Sequence, residues 1–327
     1  MKRNQHAGGL RAGGVGISPL SDADLRDIDL ATLEVLERTG VFVEDGEALD
    51  VFSDAGCRVD RDRRVVKIPP YVVEDALRAA PPSFSLCGRD PQHDVLLEAD
   101  RVAFVNFCEG VMTNDLETGE NRPSCKQDIA DIMRIVDALE NIDACTLPVG
   151  ARDYGEAAPT LHGYQAAVTN TTKHVHCPVL SKHEAQGLID MAAAVAGGYD
   201  ELRERPIISS GCATVSPLRL TRQFTDVTNV IARAGLPTLT ISCSIAGATG
   251  PCTLAGTLVT HNAEMLASIT YAQLVERGTK SWYGSSTAAM DMRFGTDAVG
   301  TPELSLISAC LAQISQMYNI PSFMAGL

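Results

Sequence analysis

The chain has 327 residues, of which 45% are apolar and 21% are charged, and its formal net charge is −14. This composition is too polar for a membrane protein and too apolar for a disordered one. An acidic surface repels phosphate backbones, which argues against a nucleic-acid partner, whereas it tolerates a cationic ligand. The sequence shows no run typical of a signal peptide or a membrane span. Its ten cysteines are scattered in apolar segments and indicate reduced thiols, so we expect a cytoplasmic protein.

The first hundred residues predict a small α+β region behind an arm. Residues 1–17 are rich in glycine and predict a flexible arm. Ser21 is a typical N-cap, and the helical periodicity that follows it ends at Gly40. Short apolar runs and two further short helices follow. We therefore expect residues 18–100 to form an N-terminal α+β extension.

From Arg101 onward, short apolar runs alternate with amphipathic helical stretches. The predicted strands are 101–107, 143–149, 173–180, 206–212, 237–243, 280–286 and 321–327, and the predicted helices include 126–140, 184–198, 222–235, 253–278 and 302–319. Apolar strands that alternate with helices are typical of parallel strands buried on both faces of a sheet. The spacing of about 30–40 residues is that of βα units.

Two parallel α/β architectures fit this pattern, a doubly wound sheet and a (β/α)₈ TIM barrel. A barrel needs eight strands and about 250 residues. Residues 101–327 contain seven predicted strands, and the last of them, "PSFMAGL" (321–327), has no helix after it. If the fold is a barrel, we therefore expect residues 101–327 to form a partial TIM barrel that is incomplete at its C-terminus.

Candidate functional residues follow the predicted strands, because functional groups of parallel α/β proteins gather at the carboxyl ends of strands. Glu109 follows the first strand and Asp153 and Tyr154 the second, whereas Tyr283 lies within the sixth strand and Asp291 follows it. An acidic and an aromatic side chain together suit a cationic guest. The same residues have simpler interpretations: Asp153 as a partner of its neighbour Arg152, Tyr283 as core, and Asp291 as a solvated loop charge.

The segment "HVHC" invites a metal interpretation that its geometry does not favour. His174 and His176 would share one face of a strand, and Cys177 would point to the other face. Two converging ligands are fewer than the three protein ligands that zinc requires. We therefore expect no metal site here, and no Ser-His-Asp or Cys-His arrangement is evident from the spacing.

Long segments of the chain resemble the trimethylamine methyltransferase family. They include "ATLEVLERTGVFV", "VVKIPPYVVEDAL", "DIADIMRIVDALENID", "LPVGARD", "PCTLAGTLVTHNAEMLASI" and the final 46 residues that begin at Trp282. The resemblance extends from about residue 20 to the end. It implies a (β/α)₈ barrel that moves a methyl group from a methylated amine to the Co(I) corrinoid of a separate small protein, with no tightly bound cofactor of its own. It also leads us to expect a homo-oligomer.

The family has two branches, and the end of this chain bears on the choice between them. In one branch, a strand resembling "PSFMAGL" is followed directly by pyrrolysine, the catalytic residue. The resemblance therefore implies pyrrolysine immediately after Leu327. The 327 residues would then be a truncated, inactive trimethylamine methyltransferase that contains no catalytic residue. One alternative is a member of the branch without pyrrolysine that demethylates a quaternary amine such as glycine betaine. Another is a non-catalytic fragment or binding module.

Overall fold

The helices and strands of this protein belong to two units that alternate along the chain. The structure is a computed structural model that describes residues 17–99, 101–108, 110–154 and 158–325. Unit 1 contains Phe84–Gly211 and Ala234–Pro237, and unit 2 contains residues 17–83, Cys212–Arg233 and residues 238–325. The boundary expected near residue 100 stays a prediction. So does the flexible arm, of which residues 1–16 lie outside the described residues.

The secondary structure follows the alternation that the sequence predicts. The α-helices are α1 (Asp22–Glu34), α2 (Gly46–Asp54), α3 (Pro70–Ala79), α4 (Lys126–Ala138), α5 (Pro159–Asn170), α6 (Lys182–Ala196), α7 (Tyr199–Glu204), α8 (Arg222–Arg233), α9 (Leu254–Val275) and α10 (Pro302–Met317). The strands are β1 (Val41–Val43), β2 (Arg58–Asp60), β3 (Val65–Lys67), β4 (Ser83–Leu86), β5 (Val95–Glu98), β6 (Met112–Asn114), β7 (Asn121–Pro123), β8 (Cys145–Thr146), β9 (Val175–His176), β10 (Ile208–Ser209), β11 (Arg219–Leu220), β12 (Thr238–Ser242), β13 (Ile245–Ala246), β14 (Ser281–Ser285), β15 (Ala288–Asp291), β16 (Thr296–Asp297) and β17 (Ser322–Met324).

Unit 1 is organised around a parallel sheet in the order β10-β9-β8. Helix α5 connects β8 to β9, and α6 and α7 connect β9 to β10. The strands β8 and β9 are short because Pro148 and Pro178 lie two residues beyond their ends and have no N–H to continue the ladder. The run 101–107 forms no named strand; Val105 makes an isolated parallel bridge to Ala144.

Unit 2 contains a second parallel sheet, in the order β12-β14-β17, and a mixed sheet in the order β11-β1-β3-β2. Helix α9 connects β12 with β14, and α10 precedes β17. The core of this unit includes apolar residues of α1, α9 and α10 packed around Tyr283 of β14. The helix predicted from Ser21 to Gly40 is α1 followed by one π-helical turn over Val35–Thr39.

The observed fold is mixed α/β and contains parallel strands. Six of the seven predicted runs contain a strand of a parallel sheet. No closed barrel is formed by the residues that the structure describes. In the same part of the chain, no helix is both long and apolar enough to cross a membrane. No disulfide bond joins any of the ten cysteines, all of which are described.

Candidate functional site

Four polar side chains lie side by side at the carboxyl edge of the sheet in unit 1. Thr146, His176 and Ser209 are the last residues of β8, β9 and β10 and are partners in the strand register. Partnered residues of adjacent parallel strands point to the same face of a sheet. Asn106 extends the row, because its Oδ1 accepts a hydrogen bond from the Thr146 N–H at 3.0 Å. We call Asn106, Thr146, His176 and Ser209 the carboxyl-edge row.

Two histidines of unit 1 are joined through one serine hydroxyl. Nδ1 of His174 lies 3.1 Å from the Pro206 carbonyl oxygen and 3.2 Å from that of Cys87. Its Nε2 lies 2.9 Å from Oγ of Ser209, and the same Oγ lies 3.0 Å from Nδ1 of His176. This chain of contacts fixes the two rings relative to each other, and we call it the histidine relay.

Burial keeps both histidines of the relay neutral. His174 is completely buried, and only 6% of His176 is exposed. Burial lowers the pKa of His174 to about 4, although the two carbonyl oxygens oppose the shift. Burial, and then the neighbouring His174, lower the pKa of His176 to about 3. At neutral pH each ring therefore carries one proton and one nitrogen lone pair.

A buried carboxylate organises the corresponding edge of unit 2. Glu264 of α9 is fully buried. Its Oε2 accepts hydrogen bonds from the hydroxyls of Thr214, Ser216 and Ser242 at 2.9, 2.8 and 2.7 Å. Its Oε1 accepts a bond from the backbone N–H of Leu218 at 2.9 Å. These four hydrogen bonds hold the segment before β11 against the end of β12.

A third buried histidine, His261, lies three residues before Glu264 in α9. Nδ1 of His261 is 2.7 Å from Oγ1 of Thr287, and its ring centroid is 5.4 Å from that of Tyr283. Burial lowers the pKa of His261 to about 3. Within the described residues, its Nε2 and Oγ of Ser244 are buried without a hydrogen-bond partner.

The structure places Asp153 and Tyr154 against the start of α4 in unit 1. Oδ1 of Asp153 accepts a hydrogen bond from the backbone N–H of Lys126 at 2.8 Å. The Tyr154 ring stacks on His162 at a centroid distance of 4.1 Å, and Nζ of Lys126 lies 4.8 Å from the Tyr154 ring centroid. The chain thus supplies its own cation to this aromatic face. The role predicted for the pair in binding a substrate stays a prediction.

Tyr283 is a core residue of unit 2. It is fully buried, and its hydroxyl donates a hydrogen bond to Oδ1 of Asn262 at 2.9 Å. Nδ2 of Asn262 donates in turn to Oγ1 of Thr32 and to the hydroxyl of Tyr318, at 3.0 and 2.8 Å. Burial raises the pKa of Tyr283 well above its ordinary value. These contacts fit the packing interpretation, and a contact between Tyr283 and a substrate stays a prediction.

Asp291 lies at the end of β15 in the hairpin that β15 forms with β16. Its Oδ1 accepts hydrogen bonds from the backbone N–H groups of Arg293 and Phe294, at 2.8 and 3.2 Å. These bonds form the turn of the hairpin. Glu109 and the residues Gly326 and Leu327 lie outside the described residues. The predicted role of Glu109 and the pyrrolysine expected after Leu327 therefore stay predictions.

Sequence reasoning found the two histidines of the relay but not the residue that joins them. The prediction that His174 and His176 share one face of a strand is confirmed, because both contact Ser209. Nothing in the spacing connects Ser209 with a strand that lies 33 residues earlier. The role of Glu264 was not predicted either, because a single acidic residue in a long apolar helix does not indicate the four hydrogen-bond donors around it. In the part of the chain that the structure describes, no group of three or more His, Cys, Asp or Glu residues could hold a metal ion.

The chain is similar to known proteins along almost its whole length. The family model described as trimethylamine methyltransferase matches residues 2–327. A trimethylamine methyltransferase of Desulfitobacterium hafniense is 45% identical over 320 residues, which are 98% of this chain and 64% of that protein. One from Methanosarcina thermophila is 42% identical and matches 99% of this chain and 68% of its own length. The chain thus spans about two thirds of the length of these relatives.

Two further proteins are similar to this chain at lower sequence identity. A glycine betaine methyltransferase of Desulfitobacterium hafniense is 30% identical over 94% of this chain and 64% of that protein. The crystal structure of the Methanosarcina barkeri monomethylamine methyltransferase superposes with a TM-score of 0.57. The superposition covers 96% of this chain and 69% of the other, at 16% sequence identity. That likeness concerns the fold alone.

Proposed function

Because the chain belongs to the trimethylamine methyltransferase family, we propose that its protein transfers a methyl group from trimethylamine to the Co(I) corrinoid of a separate protein. The observation that carries this proposal is the 45% identity, over 98% of the chain, to a trimethylamine methyltransferase. The glycine betaine methyltransferase is 30% identical, which makes a quaternary amine the second candidate substrate. Since the chain spans 64% of the first relative, the activity is proposed for the whole protein.

The proposed reaction needs orientation more than it needs acid–base chemistry. The substrate at neutral pH is the trimethylammonium cation. An electron pair of Co(I) forms the new Co–C bond, and the electron pair of the broken C–N bond stays on nitrogen. The products are methyl-Co(III) and dimethylamine, and the N–H proton stays where it was. The protein therefore has to bind the cation, aim one methyl group at cobalt and exclude water.

The finer architecture and the assembly belong to the same proposal. The parallel strands of both units alternate with helices, which supports an incomplete (β/α)₈ barrel. The corrinoid protein is the proposed methyl-accepting partner, and a homo-oligomer remains the expected assembly. The acidic net charge of −14 favours encounter with a cationic amine.

A methyl-transfer assay with two substrates tests the proposed function. The protein is expressed from its own gene, mixed with reduced corrinoid protein and given trimethylamine or glycine betaine. With trimethylamine we expect loss of the Co(I) absorption and formation of dimethylamine. The rate of Co(I) loss should be at least about tenfold higher than with glycine betaine, which corresponds to a difference of ~1.4 kcal/mol in transition-state stabilisation. Faster formation of dimethylglycine from glycine betaine would favour the second candidate. If the Co(I) absorption persists with both amines, both candidate substrates are refuted.

A further inference from the structure

We propose that a cavity between α1, α9 and α10 of unit 2 binds small amphiphilic ammonium ions. The apolar part of the ligand lies inside the cavity, and its cationic head lies beside two carboxylates at the mouth. The inference goes beyond the proposed methyl transfer and does not rest on it.

The cavity has a buried apolar floor and an exposed mouth. Its volume is about 340 Å³. Four side chains from the three helices form the floor, and each is less than 10% exposed: Ile28, Leu258, Ile307 and Cys310. Leu306 also lines the cavity but is 43% exposed, which places it at the mouth. An apolar group that enters the cavity is removed from water at the floor, and this burial is favourable.

The size of the cavity suits a small molecule. An apolar cavity of roughly 150 Å³ holds benzene, which has six non-hydrogen atoms. By the same proportion, a cavity of about 340 Å³ has room for roughly twelve to fourteen such atoms. Eleven residues line it, whereas a stable protein–protein interface takes roughly 20–30 residues on each side. We therefore assign the cavity to a small molecule and not to a protein segment.

Two carboxylates of α1 give the cavity a negative rim. Asp24 and Asp27 both line it and are three residues apart, so their side chains are neighbours on the helix surface. Oδ2 of Asp24 accepts hydrogen bonds from the hydroxyl and the N–H of Ser21, at 2.6 and 2.9 Å, and these bonds lower the pKa of Asp24. Within the described residues, neither carboxylate forms an ion pair with a basic side chain. Neighbouring like charges repel each other, and a bound cation relieves that repulsion.

The first turns of α1 and α9 also contribute to the cavity and have the opposite sign. Leu254 and Ala255, which line it, are the first two residues of α9. A helix N-terminus is equivalent to roughly +0.5 of a charge, so two of them supply about +1 against about −2 from the carboxylates. In α9 the Thr253 hydroxyl oxygen already accepts the Gly256 N–H at 3.2 Å. The balance at the mouth is therefore negative and favours a cation over an anion.

Three probes of similar shape measure this preference. 4-Phenylbutylammonium, 4-phenylbutanol and 4-phenylbutyrate have the same ring and chain and differ in the charge of the head. In calorimetric titration of the 327-residue chain, we expect a dissociation constant on the order of 1 mM or lower for the cation. The alcohol should bind about fivefold more weakly, and the carboxylate more weakly still, because exposed ion pairs contribute modestly. Added salt should reduce the advantage of the cation and leave the alcohol unchanged.

Replacement of one carboxylate tests the role of the rim charge. Asp27→Asn removes a charge and leaves intact the capping box that Asp24 forms with Ser21. We expect the cation to bind about two- to threefold more weakly and the alcohol to bind as before. Asp22→Asn is the matched control, because it removes the same charge from the first turn of α1 at a residue that does not line the cavity. It should leave both dissociation constants unchanged.

A tryptophan at the mouth tests where the probes bind. Ala255 is exposed and is the second residue of α9, so an indole there covers the mouth without entering the core. Ala255→Trp should abolish binding of both the cation and the alcohol, and Leu306→Trp on α10 should do the same. Ala23→Trp is the matched control: Ala23 is the second residue of α1, is also exposed and does not line the cavity. Thermal unfolding verifies that each variant is folded.

The outcomes separate the ligand class from the site. Equal binding of the three probes, or tighter binding of the carboxylate, would overturn the assignment to a cation. Binding of the cation that survives both Ala255→Trp and Leu306→Trp would refute the site, and so would the absence of binding in the wild-type chain. None of these results affects the proposed methyl transfer, which is measured with other amines and the corrinoid protein.

Discussion

At the scale of single residues, the buried carboxylate of Glu264 shows how one side chain fixes a loop. Isolated buried charges are costly, and they persist in proteins when hydrogen bonds surround them. Glu264 accepts three hydroxyl bonds on one oxygen and one backbone N–H on the other. All four partners are donors, so the carboxylate, which is an acceptor only, matches its surroundings.

Replacement of Glu264 by glutamine tests this match. In Glu264→Gln one oxygen becomes an NH₂ group. Turned towards Leu218, this group faces a backbone N–H that can only donate; turned the other way, it deprives the three hydroxyls of their shared acceptor. We expect a loss of about 2–3 kcal/mol in the free energy of unfolding, because a buried donor is left without an acceptor. Urea denaturation measures the change. Glu276→Gln, at the exposed end of the same helix, should stay within about 0.5 kcal/mol of the wild type. Equal stability of the two variants would contradict this account of Glu264.

At the scale of elements, the pairing of β12 with β14 depends on a residue without a side chain. Gly284 is partnered with Ile241 in the parallel register. A Cβ at position 284 would collide with the carbonyl oxygen of Thr240 and come too close to the side chains of Leu239 and Ile241. The colliding oxygen belongs to the backbone of the neighbouring strand and cannot turn away. The glycine therefore permits the close approach of the two strands.

Two glycine-to-alanine substitutions distinguish the steric effect of this close approach from the general effect of replacing a glycine. We expect Gly284→Ala to lower the free energy of unfolding by about 1–3 kcal/mol, because the methyl group has to displace the backbone of β12. Gly46→Ala is the matched control: apart from its chain neighbours and the backbone of its own helix, nothing lies within 4 Å of the added Cβ. That position is in the first turn of α2, so alanine should be neutral or stabilising by up to about 1 kcal/mol. Thermal or urea unfolding compares them, and a neutral Gly284→Ala would refute the close-approach argument.

At the scale of the whole molecule, three neutral buried histidines couple folding to pH. Burial lowers the pKa of His174 to about 4 and those of His176 and His261 to about 3. An unfolded histidine titrates near pH ~6.5. Below that pH the unfolded chain binds protons that the folded protein excludes. Each histidine thus contributes stability that is present above pH ~6.5 and is lost as the pH falls towards the folded-state value.

The share of one histidine is measurable with His261→Gln. From pH ~7 to pH ~5, linkage predicts that each of these histidines lowers the free energy of unfolding by up to about 2 kcal/mol. Glutamine keeps a hydrogen-bonding group near Thr287 but does not titrate. The loss of stability over this interval should therefore be smaller in the variant by about that amount. Urea denaturation at a series of pH values gives both curves, and parallel curves would show that His261 binds its proton equally in the folded and unfolded states.

The sequence predicted most elements well because their signals are local. The helix 253–278 contains α9, and the strand 280–286 contains β14, because hydrophobic periodicity and glycine or proline boundaries are readable within one segment. The run 101–107 was overestimated: it has strand composition, but among the described residues it contributes an isolated bridge at Val105 and no strand. Helix α5 (Pro159–Asn170) was not predicted at all.

The sequence by itself determined the family, the alternation of parallel strands with helices, and the shared face of His174 and His176, because each of these depends on residues close together in the chain. Only the tertiary structure decided that Ser209 joins the two histidines, that four donors surround Glu264, and that Tyr283 donates its hydroxyl proton to Asn262 in a core. The physical reason is that hydrogen-bond partners are chosen by distance in space. The strand register and the helix packing that set those distances join segments tens of residues apart, and no local pattern encodes them.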